Sequence, residues 1–93
     1  MFVKFELSTN RAGCDATEVY KVADDVTDEY LDELGDNLAR DNADMYGIIE
    51  EAEAECEESG IEFEESCYYS ANWEKLDMTE EEIEDEYGCY DEL

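Results

Sequence analysis

The sequence predicts an α+β domain in which a three-stranded antiparallel sheet packs against one long or broken acidic helix, with a short helix near the C-terminus. Three observations lead to this prediction. Apolar and polar residues alternate near the N-terminus, apolar residues recur every three or four positions in the middle, and an aromatic stretch with the composition of a strand follows. Because the chain has 93 residues and no proline or Gly/Ser-rich linker, residues 1–93 are expected to form a single acidic domain.

A β-hairpin is expected at the N-terminus. The alternation there places Val3, Phe5 and Leu7 on one face, as a half-buried strand requires. Residues 8–16 are rich in turn-forming types, and residues 17–23 alternate again. The connection is too long for a two-residue turn, so we expect a hairpin with a longer loop.

The central segment, residues 27–59, is predicted to be helical. Thr27 is a good N-cap and Gly60 a good C-cap. Weak helix formers between Asn42 and Gly47 predict a kink or a break, which would give two helices in place of one. The apolar stripe expected to face the core consists of Leu31, Leu34, Leu38, Met45, Ile49, Ala52 and Cys56.

A third strand and a short helix are expected after the central segment. Residues 67–76 are aromatic enough to form a strand that joins the hairpin. Thr79 and Glu82 have the spacing of a capping box, and Ile83 would lie on the apolar edge of the helix that follows. The last residues, 88–93, are expected to be frayed.

Negative charge is the dominant property of the sequence. The formal net charge is −26, and residues 24–93 carry all of it, since residues 1–23 contain three acids and three bases. Acids along the central segment recur every three or four residues, which on a helix gives rows with steps of about 5 to 6 Å, as in a line of phosphates. Such like-charge pairs destabilise a helix, so their accumulation indicates a function. The predicted partner-binding residues are Asp28, Glu29, Asp32, Glu33, Asp36, Asp44, Glu51, Glu55, Glu58, Tyr46 and Tyr69.

The sequence lacks the patterns of catalytic and cofactor-binding proteins. It contains no histidine, its four cysteines lack the spacing of a zinc site, and it has no phosphate-binding glycine loop. No window matches an EF-hand loop. We therefore expect no enzyme activity, no cofactor and no shaped metal site. Without an apolar leader or a membrane-spanning run, the expected location is the cytoplasm.

Three short segments of the chain form a recognisable pattern: FELST at positions 5–9, the loop with Gly13, Cys14 and Asp15, and LARDNADMYG at positions 38–47. In these segments the chain resembles a family of small acidic bacteriophage proteins of unassigned function. The resemblance covers residues 2–47 and, more loosely, SANWE at residues 70–74. Asn10 and Arg11 depart from that pattern, because small residues are usual at these positions in the loop.

In overall character the chain also resembles phage DNA mimics that inhibit restriction enzymes and CRISPR complexes. This resemblance implies an anti-CRISPR protein in the host bacterial cytoplasm, which occupies the basic PAM or target-DNA channel of a Cas effector and blocks DNA binding. An anti-restriction DNA mimic, or another acidic module that binds a host nucleic-acid-binding protein, is the alternative. A second alternative is an acidic structural protein with nonspecific divalent-cation binding. No direct contact with nucleic acid or membrane is expected, and dimerisation stays open.

Overall fold

The computed structural model describes residues 1–92 and shows an α+β fold, as the sequence predicts. Its helices and strands are β1 (Phe2–Thr9), β2 (Ala16–Lys21), α1 (Asp28–Met45), α2 (Ile48–Ser59), a 3-10 turn (Glu65–Cys67), β3 (Tyr69–Leu76), α3 (Glu80–Tyr87) and β4 (Asp91–Glu92). The central segment forms two helices, so of the two predicted forms, a long or a broken helix, the broken one is present. The prediction of three antiparallel strands is wrong in detail, because the described part of the sheet has four strands, of which one pair is parallel.

The strands lie in the order β3-β1-β2-β4. β1 is antiparallel to β2 and to β3, which confirms that the aromatic strand joins the hairpin. β4 was not expected, because we predicted that residues 88–93 are frayed. Instead Tyr90 packs edge-on against Phe2, with 4.9 Å between ring centroids, and residues 91–92 pair with the end of β2. Leu93, the last residue of the predicted frayed end, lies outside the described residues.

The main core lies between the sheet and α1. Val3, Phe5 and Leu7 are buried on one face of β1, as predicted, and they pack against Leu31 and Ala39 of α1. Burial of this apolar surface is the principal stabilisation of the fold. α1 therefore covers the sheet on the β1 and β3 side, where its acidic flank comes close to β3.

A second, smaller core lies on the opposite face of the sheet. Ile83 of α3 is fully buried against Phe2 and Val19. The predicted capping box is present, since Thr79 Oγ1 accepts from the backbone N–H of Glu82 and the Glu82 carboxylate accepts from the backbone N–H of Thr79. α3 is thus fixed at one end of this face, and the rest of the face stays polar.

The central segment breaks at Gly47, inside the predicted interval. Gly47 has a φ of 71°, a left-handed conformation that glycine adopts without strain, and it separates α1 from α2. Met45, the last residue of α1, is 72% exposed, so the prediction that it faces the core is wrong. The buried face of α1 runs through Leu31, Gly35, Ala39, Asn42 and Ala43, and Met45 lies off this face. Asn42 is buried on this face of α1, and its Nδ2 donates to the backbone oxygen of Cys14 at 2.8 Å. None of the helices described in residues 1–92 has the length and apolar character needed to cross a membrane.

Candidate functional site

The basic groups of the chain all have acidic neighbours. The ion pairs are Lys4 with Glu6 and Glu74 (both 3.4 Å), Arg11 with Glu51, Lys21 with Glu80 (2.7 Å), Arg40 with Glu65 (2.6 Å), Lys75 with Asp28 (3.0 Å), and the N-terminal amine with Asp24 (2.8 Å). These pairs use seven of the 31 carboxylates, which leaves 24 without an ion pair within residues 1–92. The surface therefore carries an excess of negative charge and no uncompensated basic side chain.

The molecule is elongated, with extents of 50 × 26 × 16 Å. A net charge of −26 over 50 Å corresponds to one negative charge per about 1.9 Å of length. Double-stranded DNA carries one per about 1.7 Å of its axis. The chain thus matches the linear charge density of a DNA duplex to within about 15%.

Two of the predicted partner-binding acids hold the scaffold together. An oxygen of Asp28 lies 3.0 Å from the amino nitrogen of Lys75, and Asp32 accepts a hydrogen bond from Trp73 Nε1 at 2.6 Å. Both contacts join α1 to β3. They place this flank of α1 directly beside the strand, so these two acids have a structural role as well as a charge.

Asp36 continues this row by one helical turn and is exposed. Tyr69 lies near it, and the pKa of Tyr69 is raised first by burial and then by the negative charges of Glu65 and Asp36. Because Tyr69 packs against two parts of the core, it is less accessible than an aromatic anchor for a partner should be. Asp36, by contrast, has no ion-pair partner within residues 1–92.

Apart from Asp32 and Asp36 in the row beside β3, five of the predicted acids are exposed and make no ion pair within the described residues. These acids, which we call the outer acids, are Glu29, Glu33, Asp44, Glu55 and Glu58. Glu51 differs from them, since it is paired with Arg11 of the hairpin loop. The outer acids are therefore available to a partner without loss of a contact that holds the fold.

The bend at Gly47 brings acids of both central helices to one groove. This groove has a volume of about 390 Å³ and is lined by Arg40, Asp41, Asp44, Ile49, Glu53, Phe63 and Glu65. Within the described residues no group of three or more histidine, cysteine, aspartate or glutamate side chains is placed to hold a metal ion. The groove therefore gathers negative charge from both α1 and α2.

Apolar side chains are exposed at the same bend. Tyr46 is 44% exposed, as a partner-binding residue should be, and its neighbour Met45 is the more exposed of the two. Met45 was not predicted to belong to a binding surface, because the helical stripe placed it in the core. Its signal in the sequence is the interval of seven residues between Leu38 and Met45, the only step of the predicted stripe longer than four.

The four cysteines differ in their exposure to solvent. Cys14 and Cys56 are buried, while Cys67 and Cys89 are exposed, and all four are free. Cys56 was predicted to be a core residue, and it is, with its sulfur 3.3 Å from the hydroxyl of Tyr68. This contact raises the pKa of Tyr68, so it favours the protonated phenol.

Comparison with known proteins identifies no relative of the chain. No family model matches the chain, and no curated protein or solved structure matches it. The interpretation of the surface therefore depends on its charge, its dimensions and its exposed side chains.

Proposed function

We propose that the chain is a phage-encoded DNA mimic, an anti-CRISPR protein that occupies the basic PAM or target-DNA channel of a Cas effector and blocks DNA binding. The observation that supports this most directly is the linear charge density, one net charge per about 1.9 Å over a length of 50 Å. A channel that holds nucleic acid is lined with basic side chains that contact phosphates. A body with a similar density of carboxylates competes for the same side chains.

The pairing of every basic side chain supports inhibition through the partner protein. A chain that bound DNA would need a basic patch, and each Lys and Arg here is already paired with a carboxylate. The inhibitor would act stoichiometrically, by occupying the site, and the proposal assigns no catalytic residue to it.

The broken central segment supports contact with basic side chains that project from the wall of the channel. A straight helix presents one row of acids, whereas α1 and α2 meet at Gly47 and turn acids of both helices toward one groove. Tyr46 and Met45, exposed at this bend, supply apolar contact area among the charges. Aromatic and methionine side chains are enriched at interfaces, so this pair gives a contact that charge alone does not.

A restriction enzyme is the second candidate partner. Its DNA-binding cleft also contacts phosphates with basic side chains, and the same charge density would fit it. The two partners differ in the DNA that each binds, so separate competition assays distinguish them.

The test is competition between the chain and labelled target DNA for a purified Cas effector, followed by fluorescence anisotropy. In one variant the outer acids become amides: Glu29→Gln, Glu33→Gln, Asp44→Asn, Glu55→Gln and Glu58→Gln. The matched control removes five exposed, unpaired charges in α3 and in the segment before it: Asp77→Asn, Glu81→Gln, Glu84→Gln, Asp85→Asn and Glu86→Gln. Both variants have the same net charge.

The outer-acid variant should compete at least about fivefold less well than the control, since five charged contacts of about 0.2 to 1 kcal/mol each sum to at least about 1 kcal/mol. Competition by the native chain should also weaken steeply as salt rises. Equal loss in the two variants would show that total charge matters and the α1 and α2 surface does not. Failure to compete with either a Cas effector or a restriction enzyme would contradict the proposal.

A further inference from the structure

β3 has an unpaired outer edge. It is the last strand of the sheet on its side and pairs only with β1, through all eight of its residues. The open edge of a strand is a template for another strand, and proteins usually protect such edges with proline, a bulge or a cover. This chain has no proline, and the register between β1 and β3 runs without interruption. The edge is therefore long and regular within the described residues and has neither a proline nor a bulge, and its charged side chains are Glu74 and Lys75.

Two hydrogen bonds beyond the strand ends show which backbone groups of β3 point outward. Val22 N donates to Met1 O at 2.8 Å, and Asn10 N donates to Tyr68 O at 3.3 Å. In an antiparallel ladder the N–H and C=O of one residue point to the same side, and the side alternates along the strand. Even-numbered residues of β3 therefore bond to β1, and the outward groups belong to Tyr69, Ala71, Trp73 and Lys75.

A row of acids on α1 runs along this edge. Asp28 contacts Lys75 and Asp32 contacts Trp73, so the helix and the strand are aligned. Asp36 is the next member of the row. Residues four apart on a helix are separated by about 6 Å along its axis, and residues two apart on a strand by about 6.7 Å. A strand added beside β3 would thus place alternate side chains opposite successive acids.

We infer that the outer edge of β3 accepts an extended basic segment of the partner, with Lys or Arg at alternate positions facing Asp32 and Asp36. The inference rests on the proposed function, because it assumes that the partner is a basic nucleic-acid-binding protein. Asp28 is already paired with Lys75, whereas Asp36 makes no ion pair within residues 1–92. Asp32 accepts from Trp73 Nε1 through one oxygen, and its other oxygen is the one that would face a cation of the partner. A second copy of this chain fits less well, since each copy carries a charge of −26.

Two synthetic peptides of equal composition and charge test the inference with the full chain. One, TKVKVKT, has alternating lysines, and the other, TKKKVVT, has them together. Fluorescence of Trp73, the single tryptophan, reports binding at the edge, and NMR-detected hydrogen exchange reports backbone pairing. The alternating peptide should bind roughly tenfold more tightly than the clustered one. It should also slow exchange of the amides of Ala71, Trp73 and Lys75, with no change at the even-numbered amides already bonded to β1.

A pair of variants at one position adds a matched control. Ala71→Pro removes an outward N–H, whereas Ala71→Ser keeps it, so only the proline variant should lose the preference for alternating lysines. If Ala71→Pro does not fold, the test is whether the alternating peptide slows hydrogen exchange of the odd-numbered β3 amides in the native chain. Equal affinity for both peptides without slower exchange at the odd-numbered amides would overturn the inference. So would slower exchange that depends on protein concentration in the absence of peptide, because the occupant would then be a second copy.

Failure of this inference and failure of the proposed function give different results. If the chain displaces DNA from a Cas effector while the outward amides of β3 exchange freely in the complex, DNA mimicry is supported and binding at the β3 edge is contradicted. If the alternating peptide slows exchange of the outward amides but the chain displaces DNA from no tested effector, binding at the β3 edge is supported and DNA mimicry is contradicted.

Discussion

Replacement of Gly35 by alanine should destabilise the protein, although alanine is the better helix former. Gly35 lies where α1 crosses β3, and a Cβ atom there would be 3.3 Å from Ala71 Cβ and 3.4 Å from Phe5 Cδ1. The Phe5 ring is fully buried, and Ala71 Cβ is attached directly to the strand. Neither neighbour is the flexible end of a side chain, so α1 would have to move away from the sheet.

Two opposing effects decide the size of this change. Alanine gains about 1 kcal/mol over glycine in a helix interior. Overpacking of a core costs about 1 to 3 kcal/mol. Since the three nearest atoms lie at 3.3 to 3.5 Å, the clash is moderate, and we expect a net loss of about 1 kcal/mol. For a domain of this size such a loss lowers Tm by about 4 to 8 °C.

Urea denaturation followed by circular dichroism measures this loss, and a double-mutant cycle with Ala71→Gly assigns its cause. Removal of the Ala71 methyl group gives the new Cβ room, so Gly35→Ala should be less harmful, or even stabilising, in the Ala71→Gly background. The expected coupling free energy is about 1 kcal/mol. If Gly35→Ala raised stability in the native background and showed no coupling to Ala71→Gly, the close approach of α1 to β3 would be refuted.

Three further outcomes are expected. The outer-acid variant should have a higher Tm than the native chain, and added NaCl should narrow this difference in Tm, because substitution and salt each reduce the repulsion among exposed carboxylates. The same Tm in the variant and the native chain, with no effect of NaCl on either, would contradict this prediction. Asn42→Ala should lower the free energy of unfolding by about 1 to 3 kcal/mol in urea titrations, because it leaves the buried backbone oxygen of Cys14 without its donor. The control is Asn37→Ala on the exposed side of α1, and an equal loss of stability in the two variants would contradict a stabilising role of the Asn42 hydrogen bond. Burial raises the pKa of Tyr20 to about 12, so stability should fall as pH rises from about 10 to 12. Tyr20→Phe should make that fall less steep, but not abolish it, since other tyrosines also have raised pKa values; an identical slope would exclude Tyr20 as a contributor.

Local signals in the sequence were sufficient for the elements whose ends are set by neighbouring residues. Thr27 accepts from the backbone N–H of Tyr30, and Gly60 ends α2 in a left-handed conformation, as their residue types indicate. The alternation in β1 identified its buried face, because a strand that covers a core on one side needs apolar residues at every second position. The caps and this alternation were therefore readable without tertiary information.

Features that depend on distant residues were not readable. Tyr90 and β4 are ordered by contacts with Phe2 and with the end of β2, about 70 or more positions earlier in the chain. The exposure of Met45 depends on which face of α1 packs against the sheet, and the apolar periodicity of the sequence did not identify that face at the end of the helix. For the candidate site, sequence identified the acids but not their separate roles. Whether an acid is outer or is held by β3 depends on the side on which α1 meets the sheet.

The division between scaffold acids and outer acids explains how a chain with so much charge retains a defined shape. Asp28 and Asp32 are tied to β3, so their charges contribute contacts that hold α1 in place. The outer acids make no such contact within the described residues, and their mutual repulsion opposes folding. A change that neutralises them should therefore raise stability and weaken competition with DNA at the same time. Opposite effects of this kind are expected where residues are retained for binding at a cost to the fold. An acidic surface that only kept the protein in solution would gain stability from the same change and lose no binding, so the two measurements made together separate the explanations.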